Sequence, residues 1–476
     1  MPDLLGNPMG EEAMHASGAS GSSAKAVINV NQWLNSSKLN KFHAVLFILS
    51  IFIIAFDGYD LFIYAGSIPL VMKEFKMNPA YAGMIASYML IGAALGSLVL
   101  ASLADIVGRK NALLCYMTLF SIGMFLTGLT HTPFWFGTFR FITGLGVGGS
   151  LPNVTALATE YLPAKSRGTM IAMIYSGISF GGVAAALFSI WLFPSFGWRS
   201  VYIIGIFPIL LLPIYIKWLP ESPVRLVRRN RLEVLRNQLL KVRPSEVLPE
   251  GAVFELDKGF GKVPVAAIFQ DGRAVSTVLF WVIWFVNLYV IFGFTIWLPK
   301  LIMDHGYTLA TGLTFLLANS VASVIGSYVA GWVADKIGFR GSLAIFYLLS
   351  MCSVALVGFV SSYGALMLLV SLAGAGFNGA QNTMNGFMPP YYPPSMRSTA
   401  TGFCYGISRL GAIVGPTFIG VLMTMHFSYQ FTLLALALPS VISAAGVLSM
   451  PDKCNYARIL REEQAAAQRS SAQPAR

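Results

Sequence analysis

Charge is scarce in this chain: Asp, Glu, Lys and Arg together make up 11% of its 476 residues, where an ordinary soluble domain carries about 25%. So few charges cannot clothe a surface of this size in water, which excludes a soluble globular protein. Cysteine is sparse too. Of Cys115, Cys352, Cys404 and Cys454, three fall inside apolar runs, which excludes a disulfide scaffold. The histidines (His15, His43, His131, His305, His426) are scattered, and no Cys or His spacing suits a metal. Neither a nucleophile or cofactor motif nor a phosphate-binding Gly-rich loop is found, which argues against an enzyme and against a nucleotide-driven pump. The expectation is therefore no cofactor and no metal. Apolar residues, by contrast, reach 56%, a supply that fits twelve membrane helices of about 20 residues each.

Cutting the chain at charges, prolines and glycines gives twelve candidate spans, the first at 42–68 and the last at 427–450. The net charge of +12 does not point to nucleic acid, because of where it lies. With the N-terminus in the cytoplasm, only Lys73, Lys76, Arg199 and Lys300 fall outside; Arg140 and Arg409 lie within spans, and the other basic residues are cytoplasmic. The expected organisation is a cytoplasmic N-terminal tail (1–41), a six-helix half (42–219), a basic cytoplasmic loop (220–273), a second six-helix half (274–450) and a cytoplasmic C-terminal tail (451–476). Residues 1–25 lack the pattern of a secretory signal, and Gly18 to Ser23 reads as a flexible tail.

The two halves repeat. A single shift of 230 places Pro69 on Pro299, Gly96 on Gly326, Asp105 on Asp335 and Gly108 on Gly338. It also places Gly144, Gly146 and Gly149 on Gly374, Gly376 and Gly379, Arg167 on Arg397, and Gly181 on Gly411. Two parallel repeats are what a rocking carrier requires, with its site between halves that pivot. The fold class expected is therefore all-α integral membrane, twelve transmembrane helices in two six-helix repeats.

Two loops at matching positions carry charge. Asp105, Gly108, Arg109 and Lys110 follow the second span; Asp335, Lys336, Gly338 and Arg340 follow the eighth. An acid, a turn glycine and a basic residue can bridge helix ends and hold the cytoplasmic side closed, so these residues are gating candidates. The pair resembles the signature of the major facilitator superfamily, with Ala101 where glycine is usual and Ile106 where a basic residue is usual.

Some charges also sit where lipid should be. Asp57 and Asp60 lie mid-span in Phe56-Asp57-Gly58-Tyr59-Asp60, and an ionised aspartate at a helix centre costs about 2.5–3.5 kcal/mol. Three residues apart, both can face one polar cavity, where desolvation and mutual repulsion fit at least one of them to bind and release a proton. Asp57, Asp60 and Arg140 are the proton-coupling candidates, Asp57 pairing with Arg140 when ionised. Arg409, deep in its span, is the anion-binding candidate, and Tyr59, Asn287 and Tyr289 are the further substrate-binding candidates. The shift of 230 maps Asp57 to Asn287, Tyr59 to Tyr289 and Arg409 back to Ser179, so these charges are specialisations of each half.

Span one, span four from Arg140 through Pro152-Asn153 to Glu160, and Arg409-Leu410-Gly411 together resemble the aromatic acid:proton symporter family. Within it, Phe56 to Leu61 followed by Pro69 to Glu74 is similar to benzoate transporters. The resemblance implies a proton-coupled symporter importing an aromatic carboxylate, benzoate or a hydroxybenzoate, across the bacterial inner membrane. It also implies importance in transport for Asp57, Asp60, Arg140 and Arg409. Expected partners are the substrate, protons and the bilayer, with no nucleic acid and a monomeric chain. The competing readings are a carrier of another organic anion or a sugar-like solute, and a non-transporting sensor.

Overall fold

The computed structural model describes residues 27–249, 251–256, 264–393 and 395–451; the tails expected around Gly18 to Ser23 and beyond 451, with Cys454, lie outside the described residues. Among the described residues, eleven helices are long and apolar enough to cross a membrane. The longest, Leu309–Val357, has 49 residues and would measure about 73 Å, over twice the hydrocarbon thickness of about 30 Å. It breaks at Gly338, whose φ is 84°, so it supplies spans eight and nine and the total is twelve. The first helix runs Lys41–Phe75, past the end at 68 suggested by Pro69. Proline is tolerated inside a membrane helix where neighbours satisfy the freed carbonyl, and buried Pro69 has its repeat partner Pro299 inside the seventh helix, Ala274–Asp304.

The repeat legible in the sequence recurs contact by contact. A Cβ on Gly144 would lie 2.0 Å from the Met89 carbonyl oxygen, and one on Gly374 2.6 Å from that of Asn319. Gly181 meets the Ala55 carbonyl and Gly411 that of Phe285; Gly146 meets the backbone of Phe120 and Gly376 that of Ser350. Each partner is itself displaced by 230. Glycine here lets backbones touch, which is how helices associate in lipid. At the turns, Gly108 and Gly338 share the left-handed region, with φ of 94° and 84°.

The buried apolar residues show how the halves meet. At the bundle end away from the termini one core draws on both halves, from Tyr59, Ile68 and Trp198 to Trp297, Leu316 and Phe377. At the end carrying the termini there are two separate cores, one within 30–254 and one within 268–450. The hydrogen bonds that join the halves among the described residues lie at the far end. Ser87 Oγ donates to Ile413 O at 2.6 Å and lies 2.6 Å from Thr417 Oγ1, and the Ala80 N–H donates to Thr424 Oγ1 at 2.8 Å. The halves thus close on the side opposite Val27 and Pro451, the ends of the described chain, and stand apart on the side that carries those two residues.

Gly83 lies in this seam, where a Cβ would sit 2.5 Å from the Pro416 carbonyl oxygen. Gly83→Val is expected to cost the closed seam about 1–3 kcal/mol and to cut uptake about tenfold. Uptake into proteoliposomes checks this, with the melting temperature of the variant as the control for folding; wild-type uptake would show that the seam need not close.

Beside the first half sits a small cap. The short helix Val30–Asn35 and the loop helix Leu232–Val242 are joined by Arg243, which lies over the Trp33 ring and donates to Ser36 Oγ, and Asn40 Nδ2, at the start of span one, donates to the carbonyls of Lys241 and Val242 at 2.9 Å. The strand Val27–Asn29 pairs in parallel with Val253–Glu255, and Ala164 N–H donates to Asn35 O. Leu235 and Leu239 are fully buried in the first half's core.

Candidate functional site

Asp60 and Arg140 meet inside the first half. Span one carries the acid and span four the base, and Arg140 Nη1 donates to Asp60 Oδ1. Asp60 is 0% and Arg140 1% exposed, so both charges are withdrawn from solvent and hold each other there. The guanidinium also lies 4.8 Å from the centre of the Tyr64 ring, a cation–π contact that strengthens when desolvated. Asp60 Oδ2 and Arg140 Nε have no hydrogen-bond partner among the described residues.

This pairing corrects the expectation that Asp57 would be the partner of Arg140. Asp57 is one helical turn nearer the terminal end; it accepts from Ser150 Oγ at 2.6 Å and borders a small cavity with Ile53, Tyr116 and Met117. Nor do the two acids share one cavity: Asp60 is enclosed and Asp57 half-buried. The cation within electrostatic reach of Asp57 is Arg409, from the other half. Arg409 is half-buried, and neither an ion pair nor a hydrogen bond engages its guanidinium among the described residues. Tyr175 of span five is also within its electrostatic reach, and Tyr175 Oη lies 3.1 Å from Thr155 Oγ1.

The remaining candidates divide. Asn287 Nδ2 donates to Gln381 Oε1 at 2.5 Å, joining spans seven and ten as Asp57 and Ser150 join spans one and four. Tyr59 and Tyr289 are not brought to Arg409. Tyr59 Oη donates to Val201 O at 2.9 Å and Tyr289 Oη to Ala435 O at 3.2 Å, each binding the last span of its own half. A residue kept in both repeats is more readily scaffold than site, which is the signal that distinguishes these tyrosines.

The charged loops form bonds within their own halves. Arg109 pairs with Glu160 at 2.7 Å, and Lys110 Nζ donates to Ile216 O at 2.6 Å. Arg225 donates to Val107 O and pairs with Glu221 at 3.1 Å; its guanidinium occupies the place a Cβ on Gly108 would take. In the second copy Arg340 donates to Tyr391 Oη at 3.0 Å and to Met450 O, Lys336 lies over the Trp332 ring, and Asp335 is exposed. The side chain of Asp105 lies outside the described residues. Sequence reasoning did not find Ser150, Thr155, Tyr175 or Arg225, because a hydroxyl in an apolar run or a basic residue in a basic loop carries no pattern of its own.

Comparison with known proteins agrees with this architecture. The family model described as Major Facilitator Superfamily matches residues 50–355 and 316–471. The chain is 38% identical over 437 residues to a benzoate transport protein of Acinetobacter baylyi, covering 90% of this chain and 94% of the relative. It is 29% identical to a 4-hydroxybenzoate transporter of Pseudomonas putida, over 88% and 95% of the two. Among solved structures, a D-xylose-proton symporter matches with a TM-score of 0.68 at 16% identity, over 87% of this chain and 99% of that one. With its twelve spans, its contact-by-contact duplication and these matches, the chain belongs to the major facilitator superfamily, among the aromatic acid transporters, and is a multi-pass membrane carrier rather than an enzyme.

Proposed function

We propose that this carrier imports an aromatic carboxylate, benzoate or a hydroxybenzoate, together with protons, across the bacterial inner membrane. Arg409 carries this reading: its guanidinium, unpaired among the described residues and within electrostatic reach of Asp57 in the other half, offers a planar fork that fits a carboxylate. The similarity to a benzoate transport protein supports the substrate class. Asp57 takes the proton that is exchanged with substrate binding, while Asp60 and Arg140 hold the first half in its coupled shape. The halves 42–219 and 274–450 rock about the site as bodies, the chain acting as a monomer. The tails 1–41 and 451–476 and the loop 220–273 are cytoplasmic. With that orientation the gap opens to the cytoplasm, and the loops of Asp105, Gly108, Arg109 and Lys110 and of Asp335, Lys336, Gly338 and Arg340 latch when it closes.

Uptake of radiolabelled benzoate by proteoliposomes tests the reading, and it is expected to rise with acid outside. Arg409→Lys keeps the charge but loses the two-pronged geometry, so benzoate affinity is expected to fall about tenfold, and further in Arg409→Ala. Wild-type affinity in both variants would move the anion site elsewhere.

A further inference from the structure

The direction in which a bound ring must lie follows from what surrounds Arg409. One turn toward the far end, Ala412 is buried against Met89 and Leu90, with Ile413 and Phe292 packed on them. That side is filled. One turn the other way stands Tyr405, and around it the span is open: a Cβ on Gly402 or Gly406 would meet nothing within 4 Å. Along span eleven, a carboxylate held by Arg409 therefore finds room for its ring in the direction of Tyr405 and not in that of Ala412. One helical turn is about 5.4 Å, close to the length of a benzoate ring from its carboxylate to its para substituent.

Two hydrogen-bonded polar pairs stand at that level, one from each half. Tyr405 Oη donates to Asn385 Oδ1 at 2.8 Å, and Tyr175 Oη lies 3.1 Å from Thr155 Oγ1. All four residues are half-buried, so their polar atoms can exchange partners with a ligand. The two tyrosines are within electrostatic reach of each other. A phenolic hydroxyl can both donate and accept, as can the partners Thr155 and Asn385, so a polar group arriving between them finds either sense of hydrogen bond. An apolar group there would leave those bonds facing a surface unable to form any.

We propose that Tyr175 with Thr155 and Tyr405 with Asn385 read the substituent para to the substrate carboxylate, selecting a para-hydroxyl. The proposal rests on the reading that Arg409 holds the carboxylate. It makes the open end of the site the specificity-determining end and Arg409 the common anchor for every substrate.

The experiment is competition against radiolabelled benzoate uptake in proteoliposomes of the full chain, with benzoate, 4-hydroxybenzoate and 3-hydroxybenzoate as competitors. The variants are Tyr175→Phe, Tyr405→Phe and Thr155→Val. The readout is the ratio of 4-hydroxybenzoate to benzoate affinity within each variant, so that a general weakening cancels. Loss of one neutral hydrogen bond is expected to lower that ratio about five- to tenfold in each tyrosine variant, with the 3-hydroxybenzoate ratio unchanged. Unchanged ratios in all three variants, with benzoate still competing, would overturn the proposal and leave the Arg409 reading standing. A 3-hydroxybenzoate ratio that moves while the 4-hydroxybenzoate ratio does not would overturn the ring direction. Should Arg409→Lys and Arg409→Ala bind benzoate as wild type does, the underlying reading fails and the proposal with it.

Discussion

Arg140→Ala is expected to leave little folded carrier in the membrane. The substitution strands the carboxylate of Asp60, which is 0% exposed and whose other oxygen already lacks a partner among the described residues. Breaking a buried ion pair from one side costs about 3–5 kcal/mol, a large part of a typical total of about 5–15 kcal/mol. Removing both charges is a milder change, because no uncompensated ion remains. Asp60→Asn with Arg140→Met should therefore recover most of the lost stability. Melting temperatures of the purified single and double variants, with the amount in the membrane, check this. Arg140→Ala melting at the wild-type temperature would mean that Asp60 is neutral in the folded protein and needs no counter-charge.

Asp57→Asn should behave in the opposite way, folding normally while losing the ability to concentrate substrate. Asparagine keeps an oxygen for Ser150 Oγ to donate to, so the contact between spans one and four survives; only the negative charge within reach of Arg409 disappears. With one proton per substrate, each unit of pH gradient supports about a tenfold concentration ratio, and this ratio should fall to unity. Counterflow, in which unlabelled substrate inside draws labelled substrate in without a proton gradient, should persist, since rocking needs no net ion movement. Concentrative uptake retained by Asp57→Asn would remove that residue from coupling. Loss of counterflow with binding intact would make Asp57 part of the conformational step instead.

The architecture was legible because two strong signals coincide: apolar runs of membrane length, and a shift of 230 that later reappears in the contacts of Gly144 and Gly374. The intramembrane charges were legible for the same physical reason, since each is expensive in lipid and stands out against its surroundings. Which charges meet was not. Asp57 and Asp60 are one turn apart, so sequence spacing cannot say which of them Arg140 reaches; that depends on the rotation of span four, set by glycine contacts such as that of Gly144 with the Met89 carbonyl. The hydroxyls of Ser150 and Thr155 were hidden too, because membrane helices commonly turn such groups onto their own backbone. Ser87 and Thr417, which bond across the halves, are indistinguishable in sequence from Thr118, which bonds only to Leu114 one turn back.

The seam at the far end has an electrical meaning. Where Gly83 meets Pro416 and Gly420 meets Pro79, backbone lies against backbone too tightly for one added carbon, so this layer is the insulator of the assembly. The opposite side, with its separate cores, is where electrolyte would enter under the proposed rocking, and it would then act as a conductor. The transmembrane voltage then falls across the seam and scarcely across the gap, and Asp57 and Arg409 rest near the potential of the compartment they face. Binding and release on that side become nearly independent of voltage. Work of about 2.3 kcal/mol per charge per 100 mV is done instead when the halves rock and the insulating layer passes from one side of the charges to the other.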